Sequence, residues 1–133
     1  GGEYGGGVSM DGGTLYAQDC AITGNTASFY GGGMAIAGSS TVTVTTCTIS
    51  GNTAGGADGG GVYMHGGILH AQGCSITGHT AEYGGGGIYA QDCSTVTFTT
   101  CTISGNTADY NGGNGGGMHI SGSSTVTVTT SAI

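Results

Sequence analysis

Thr41-Val42-Thr43-Val44-Thr45-Thr46-Cys47-Thr48-Ile49-Ser50-Gly51-Asn52-Thr53-Ala54 is a phrase written again, with substitutions, around Cys20, Cys74 and Cys101. These four cysteines follow one another at intervals of 27 residues, and Ser131 takes the same place 30 residues beyond Cys101. Within the phrase, Val42 and Val44 alternate with threonine, and a period of two puts one set of side chains in a core and the other in solvent. The parity breaks between Val44 and Cys47, which implies a bend, after which Cys47 and Ile49 point inward together. Ile22, Ile76, Ile103 and Ile133 obey the same rule.

Working outward, each phrase is preceded by a glycine triplet and a short alternating strand, with coils opening near residues 5, 31, 59, 85 and 115. The apolar partners in these strands are Met34 and Ile36, Val62 and Met64, Ile88 and Ala90, and Met118 and Ile120. Each phrase ends on a corner, Gly24-Asn25-Thr26-Ala27 and its equivalents at 51–54, 78–81 and 105–108. Asn25, Asn52 and Asn106 stacked at this corner would bond from coil to coil as an amide ladder, which His79 interrupts. Between the corner and the next triplet lie 3, 4, 3 and then 6 residues, so length varies at a single loop. No stretch has the apolar spacing of an amphipathic helix, and the threonine, valine and isoleucine content favours strands. The fold expected is all-β: a right-handed parallel β-helix of about five coils, ~27 residues and three short strands each, forming a single domain over 1–133. At one strand spacing per coil it is a rod only ~24 Å long. Neither end reads as capped, so a piece of a longer solenoid is expected.

The composition narrows the function. Among 133 residues there is no lysine or arginine; the seven acids give a formal charge of −7, and 33 residues are glycine. Nucleic acids and anionic membranes are bound largely through lysine and arginine, so neither partner is expected. No apolar run approaches the ~20 residues of a membrane-spanning helix, and membrane insertion is not expected either. Five cysteines suit an oxidising, secreted setting, although an odd number leaves one unpaired.

The repeats resemble the right-handed parallel β-helix, pectin-lyase-like superfamily. More narrowly, they are similar to the Gly-Gly-Gly-Ile and Ile-Ser-Gly-Asn-Thr-Ala repeats of secreted and cell-surface proteins. Polymorphic outer-membrane adhesins share a related Phe-x-x-Asn signature, which has Ile for Phe here, as in Ile22 to Asn25, Ile49 to Asn52 and Ile103 to Asn106. The resemblance implies an extracellular or surface setting and is specific for fold rather than function. It also implies that the enzymes of the superfamily use an arginine or lysine as base or substrate clamp, a residue type this chain lacks.

Carboxylate catalysis would need two or three acids at one angular position on adjacent coils. Here Asp19 adjoins its cysteine, Asp11 and Asp92 occupy the first turn, and Glu3, Asp58, Glu82 and Asp109 lie in the connector, so no enzyme is expected. Cys20, Cys47, Cys74 and Cys101 read as an inward thiol ladder. A disulfide, if formed, would join Cys20 to Cys47 or Cys74 to Cys101; Cys93 stands in a turn as the exposed thiol. His65, His70, His79 and His119 share no column, against a zinc site. No other cofactor is expected than calcium, for which Asp109, Asn111 and Asn114 in the longest connector are a thin candidate set; a solvated loop is the simpler reading.

The outward Thr41, Thr43 and Thr45, with Thr95, Thr97 and Thr99 and Thr125, Thr127 and Thr129, offer a face for ice or glycans, interrupted by Ile68, His70 and Gln72. Threonine is equally a soluble strand former. Tyr63, Tyr89 and His119 share an outward column, with Tyr4, Tyr30, Tyr83 and Tyr110 near the connector. The leading expectation is a structural module of a fibre, stalk or surface layer, whose partners are copies of itself or flanking coils. Binding of ice or polysaccharide by the threonine face is the alternative.

Overall fold

The computed structural model describes residues 3–92, 94–109 and 113–133. The first coil holds β1 (Val8–Asp11), β2 (Thr14–Gln18), β3 (Ala21–Thr23) and β4 (Thr26–Ala27). The second holds β5 (Met34–Ala37), β6 (Thr41–Thr45), β7 (Thr48–Ser50) and β8 (Thr53–Ala54). In the third are β9 (Val62–His65), β10 (Ile68–Gln72), β11 (Ser75–Thr77) and β12 (Thr80–Ala81). The fourth has β13 (Ile88–Gln91), β14 (Thr95–Thr99), β15 (Thr102–Ser104) and β16 (Thr107–Ala108), and the fifth β17 (Met118–Ile120) and β18 (Thr125–Thr129).

Strands at like positions pair in parallel, giving sheets β1-β5-β9-β13-β17, β2-β6-β10-β14-β18, β3-β7-β11-β15 and β4-β8-β12-β16. The result is an all-β solenoid of four complete turns and part of a fifth, whose third segment joins only through the parallel bridge of Thr102 with Ala132. Register is strict. Leu15, Val42, Leu69, Val96 and Val126 form one inward file, and Ala17, Val44, Ala71, Phe98 and Val128 another.

The coil has one strand more than the three expected. The Thr-Ala of each corner, two residues too short to show an alternation, is extended and pairs with its equivalents as a fourth sheet. The glycine before it turns the chain, with Gly51 at φ 61, and the alanine then points inward, Ala27, Ala54 and Ala81 being buried. The break of parity before each cysteine has an equally local cause. Asp19, Thr46, Gly73, Thr100 and Thr130 all sit in the left-handed region, at φ between 47 and 61. That region is costly for β-branched threonine, so stacking must hold Thr46, Thr100 and Thr130 there.

The glycine triplets answer a shortage of space. The middle glycine lies against the backbone of the fourth sheet: a Cβ on Gly60 would come 2.4 Å from the Thr80 carbonyl oxygen and 2.5 Å from that of Gly86. The third abuts the corner side chain, Gly33 at 2.9 Å from Asn52 Nδ2 by the same measure. No side chain fits at either place, and one wall of the solenoid is therefore made of bare backbone.

The core is one continuous cluster down the middle coils, including Met34, Ile36, Val44, Ile49, Met64, Leu69, Ile76, Ile88, Phe98 and Ile103. Each such side chain fully removed from water is worth roughly 1.5–3 kcal/mol. The end coils lack a neighbour on one side: Val8, Met10, Leu15 and Ile22 are half-buried, and Val128 and Ile133 stay exposed. Among the described residues no helix is long and apolar enough to cross a membrane.

Candidate functional site

Three polar files run along the inside of the solenoid; two repeat the same bonds from coil to coil, and the third does so only where a serine occupies the first turn. In the cysteine file, Cys47 N–H donates to Cys74 Sγ at 3.4 Å and Cys74 N–H to Cys101 Sγ at 3.5 Å. Cys101 N–H donates to Ser131 Oγ at 2.9 Å, so a hydroxyl does the thiol's work in the fifth coil. Each thiol has a carbonyl in reach of its single proton: Cys74 Sγ lies 3.4 Å from the Val44 oxygen and 3.3 Å from that of Gln72, which share it. Cys20, Cys47, Cys74 and Cys101 are free thiols, exposed at Cys20 and buried in the rest. Burial raises the pKa of Cys74, which keeps it a neutral donor. Cys93 lies outside the described residues.

The second file is the corner ladder. Asn25 N–H donates to Asn52 Oδ1 at 2.8 Å, and Asn52 Nδ2 donates to the Ile22 carbonyl at 2.8 Å. His79 N–H donates to Asn106 Oδ1 at 3.0 Å, and Asn106 Nδ2 to the Ile76 carbonyl at 3.1 Å. His79 does not interrupt this ladder, contrary to the reading from residue type. Its Nδ1 accepts from Asn52 N–H at 3.1 Å and its Nε2 bonds the Ile49 carbonyl at 2.9 Å. The two ring nitrogens reproduce the acceptor and donor of a carboxamide, and these partners fix the neutral tautomer protonated at Nε2. The ladder's free ends are the Asn25 amide and the Asn106 N–H, which have no hydrogen-bond partner among the described residues.

The third file is of serines at the first turn, and sequence reading missed it. Ser40 Oγ donates to the Ala37 carbonyl and accepts from Gly12 N–H, both at 2.7 Å. Ser94 Oγ donates to the Gln91 carbonyl at 2.7 Å and accepts from Gly66 N–H at 3.1 Å, while Ser94 N–H donates to Ser124 Oγ at 3.2 Å. The first and third coils have a Gly-Gly turn here, Gly12-Gly13 and Gly66-Gly67, and the serine of the following coil closes it. The difference was visible as Gly-Gly before the second strand of the first and third coils against Ser-Ser or Cys-Ser in the second, fourth and fifth.

Outside, the first sheet carries a row of rings. Tyr4 stacks on Tyr30 at 5.3 Å between centroids, Tyr30 meets Tyr63 at 4.5 Å, Tyr63 stacks on Tyr89 at 5.7 Å and Tyr89 on His119 at 4.8 Å. Ala35 pairs with Tyr63 in register, and the small side chain leaves room for the Tyr30 ring arriving from the connector. That is why two tyrosines from outside the column complete it. Gln91 Nε2 donates to the Tyr63 hydroxyl at 2.6 Å. Burial, with the neighbouring Tyr30 hydroxyl, pushes the Tyr63 phenol up to about 12.

Beside the row runs a groove of about 510 Å³, lined by Tyr4, Tyr30, Tyr63, Asp11, His65 and Gln91 among others. His65 Nε2 lies 3.1 Å from Asp92 Oδ2, an exposed pair worth little to stability. Burial raises the Asp58 carboxyl pKa above its usual range, opposed by the Gly84 backbone bond and by His119. The rings turn their faces to one another rather than to the groove, so the row consumes the stacking surface a sugar would use.

The threonine triplets lie on the second sheet, and Thr95, Thr97 and Thr99 pair in register with Thr125, Thr127 and Thr129. Thr41, Thr43 and Thr45 are separated from them by Ile68, His70 and Gln72 and flanked on the other side by Thr14, Tyr16 and Gln18. Tyr16, 77% exposed, and the exposed His70 stand proud of the face. Of the calcium set, Asp109 and Asn114 are exposed, and Asn111 lies outside the described residues, as does Tyr110. Asn114 spends its backbone on Tyr83 and Gly85. Among the described residues no three His, Cys, Asp or Glu side chains converge to hold a metal.

A family model described as the right-handed beta helix region matches residues 3–133. Neither the curated proteins nor the solved structures yield a match.

Proposed function

The chain belongs to the right-handed β-helix family, and from that premise we propose that it is a non-catalytic structural repeat module, displayed outside the cell, that builds or decorates a fibre, stalk or surface layer by adding like coils at its ends. The observation that carries this reading is the corner ladder, which repeats like on like from coil to coil. Asn25 N–H donates to Asn52 Oδ1 and His79 N–H to Asn106 Oδ1, so each rung offers its neighbour the same donor and acceptor and one coil stacks on the next by a repeated bond. The ring row supports it too, since rings from successive coils stack on one another from Tyr4 to His119. Edge strands β1 and β2 at one end, and β17 and β18 at the other, direct half of their backbone polar groups away from the stack. A contact of one end with the opposite end does not close on itself and gives a filament. The absence of lysine and arginine, with the acids spread over turns and connectors, supports a role without catalysis.

Negative-stain electron microscopy over a range of concentrations tests the reading. Elongated particles that lengthen with concentration, and that Val128→Lys shortens by placing a charge on the open edge, are expected. Monodisperse particles of about one rod length, ~24 Å, at every concentration would overturn it.

A second reading, ice or polysaccharide binding on the threonine face, has one observation in its favour: the two registered triplets of β14 and β18. Thermal hysteresis lost in Thr97→Tyr would support it.

A further inference from the structure

Every rung of the corner ladder except one is an amide, which has no charge to gain in the ordinary pH range. The exception sits in the middle coil. We propose that His79 is an acid-sensitive rung: mild acidification weakens the centre of the solenoid through this one side chain. The inference concerns the chain itself and does not rest on the end-to-end reading above.

The geometry leaves the ring no room for a second proton. Nδ1 is the acceptor for Asn52 N–H at 3.1 Å, and Nε2 is the donor to the Ile49 carbonyl at 2.9 Å. An imidazolium has two donors and no acceptor, so protonation would set a donor against the Asn52 N–H and leave that group unsatisfied. Flipping the ring does not help, because its partners are of opposite kinds and both are backbone groups. Nor can the ring swing aside: Gly61 stands where a Cβ would come 2.7 Å from His79 Cδ2.

No counter-charge is at hand either. His79 is 0% exposed, and facing it are Ile49 and Asn52 of the preceding coil, Gly61 of the glycine wall and Asn106 of the next coil, none of them titratable or charged. The other three histidines are exposed or half-buried: His65 pairs with Asp92, His119 lies on the ring row and His70 is on the threonine face. Burial holds the His79 imidazole below its ordinary 6.5. The folded state therefore binds a proton less readily than the unfolded one, and stability is complete above about pH 6.5 and is lost as pH falls toward the folded value. One proton linked in this way lowers the folding constant by up to about tenfold per pH unit.

Urea unfolding between pH 8 and pH 5 tests the proposal on the wild type and His79→Asn, which restores the amide found in the other rungs. The expected result is a folding constant that drops about tenfold more in the wild type than in His79→Asn over this range, since all other titrating groups are common to both. Parallel pH profiles would overturn it. Should His79→Asn fail to fold, an NMR titration of the native wild type decides. His79 ring signals that stay in the neutral position, with Nε2 protonated, while the unfolded population grows are expected; a ring that titrates reversibly near 6.5 in the folded protein would overturn the proposal.

Discussion

One strand shows the contrast between the inside and the outside of this molecule. In β6 the inward Val42 and Val44 are buried, while the outward Thr41, Thr43 and Thr45 are partly exposed. Followed along the stack, the inward positions keep their character: Leu15, Val42, Leu69, Val96 and Val126 are all aliphatic. At the outward position the sequence runs Tyr16, Thr43, His70, Thr97 and Thr127. On this sheet an inward residue is enclosed by the coils above and below and by the facing walls, while an outward one also meets solvent, so strict repetition marks where packing is closed. The threonine face is thus weaker evidence of a function than the inner files are of a fold.

The contrast can be broken at its strongest point first. Phe98 is fully buried over Ala71 and beneath Val128. Phe98→Ala is expected to cost about 3–5 kcal/mol in urea unfolding. Val128, on the open edge and 40% exposed, should cost less than about 1 kcal/mol as Val128→Ala. Equal losses at the two sites would mean that the end coil is as well covered as the middle. Next in size is Gly60→Ala, which forces a methyl against two carbonyl oxygens of backbone and should cost about 3 kcal/mol. A neutral outcome would show that the glycine wall has room for a methyl group.

Asn52→Ala sharpens the comparison at the corner. It removes the acceptor for Asn25 N–H and the donor to the Ile22 carbonyl, so a loss of about 2 kcal/mol is expected from thermal or urea melts. Thr97→Ala, on the outer face, should change stability by no more than about 0.5 kcal/mol. A larger loss there would give the threonine columns a structural role that solvent exposure does not suggest.

Much of the interior was legible because stacking repeats it. The interval of the cysteines, the inward isoleucines and the asparagine corner all follow from one requirement, that like residues lie above like. What escaped did so for physical reasons. Thr53-Ala54 pairs as a strand, but two residues carry no period to read. His79 looked foreign in a row of amides because residue type hides the equivalence of Nδ1 and Nε2 with Oδ1 and Nδ2. Thr46 and Thr100 adopt a left-handed backbone that β-branching opposes, so only the tertiary stack reveals them. The Tyr30 ring fills space left by Ala35, a compensation between a connector and a strand that no spacing rule anticipates.

Coil-on-coil register can be read most directly across a single bond between residues 27 apart, Asn52 N–H to His79 Nδ1. With both nitrogens labelled, NMR should detect a nitrogen–nitrogen coupling through that hydrogen bond at neutral pH. An Nδ1 that couples to no amide, or to an amide other than that of Asn52, would contradict the stacked, in-register solenoid.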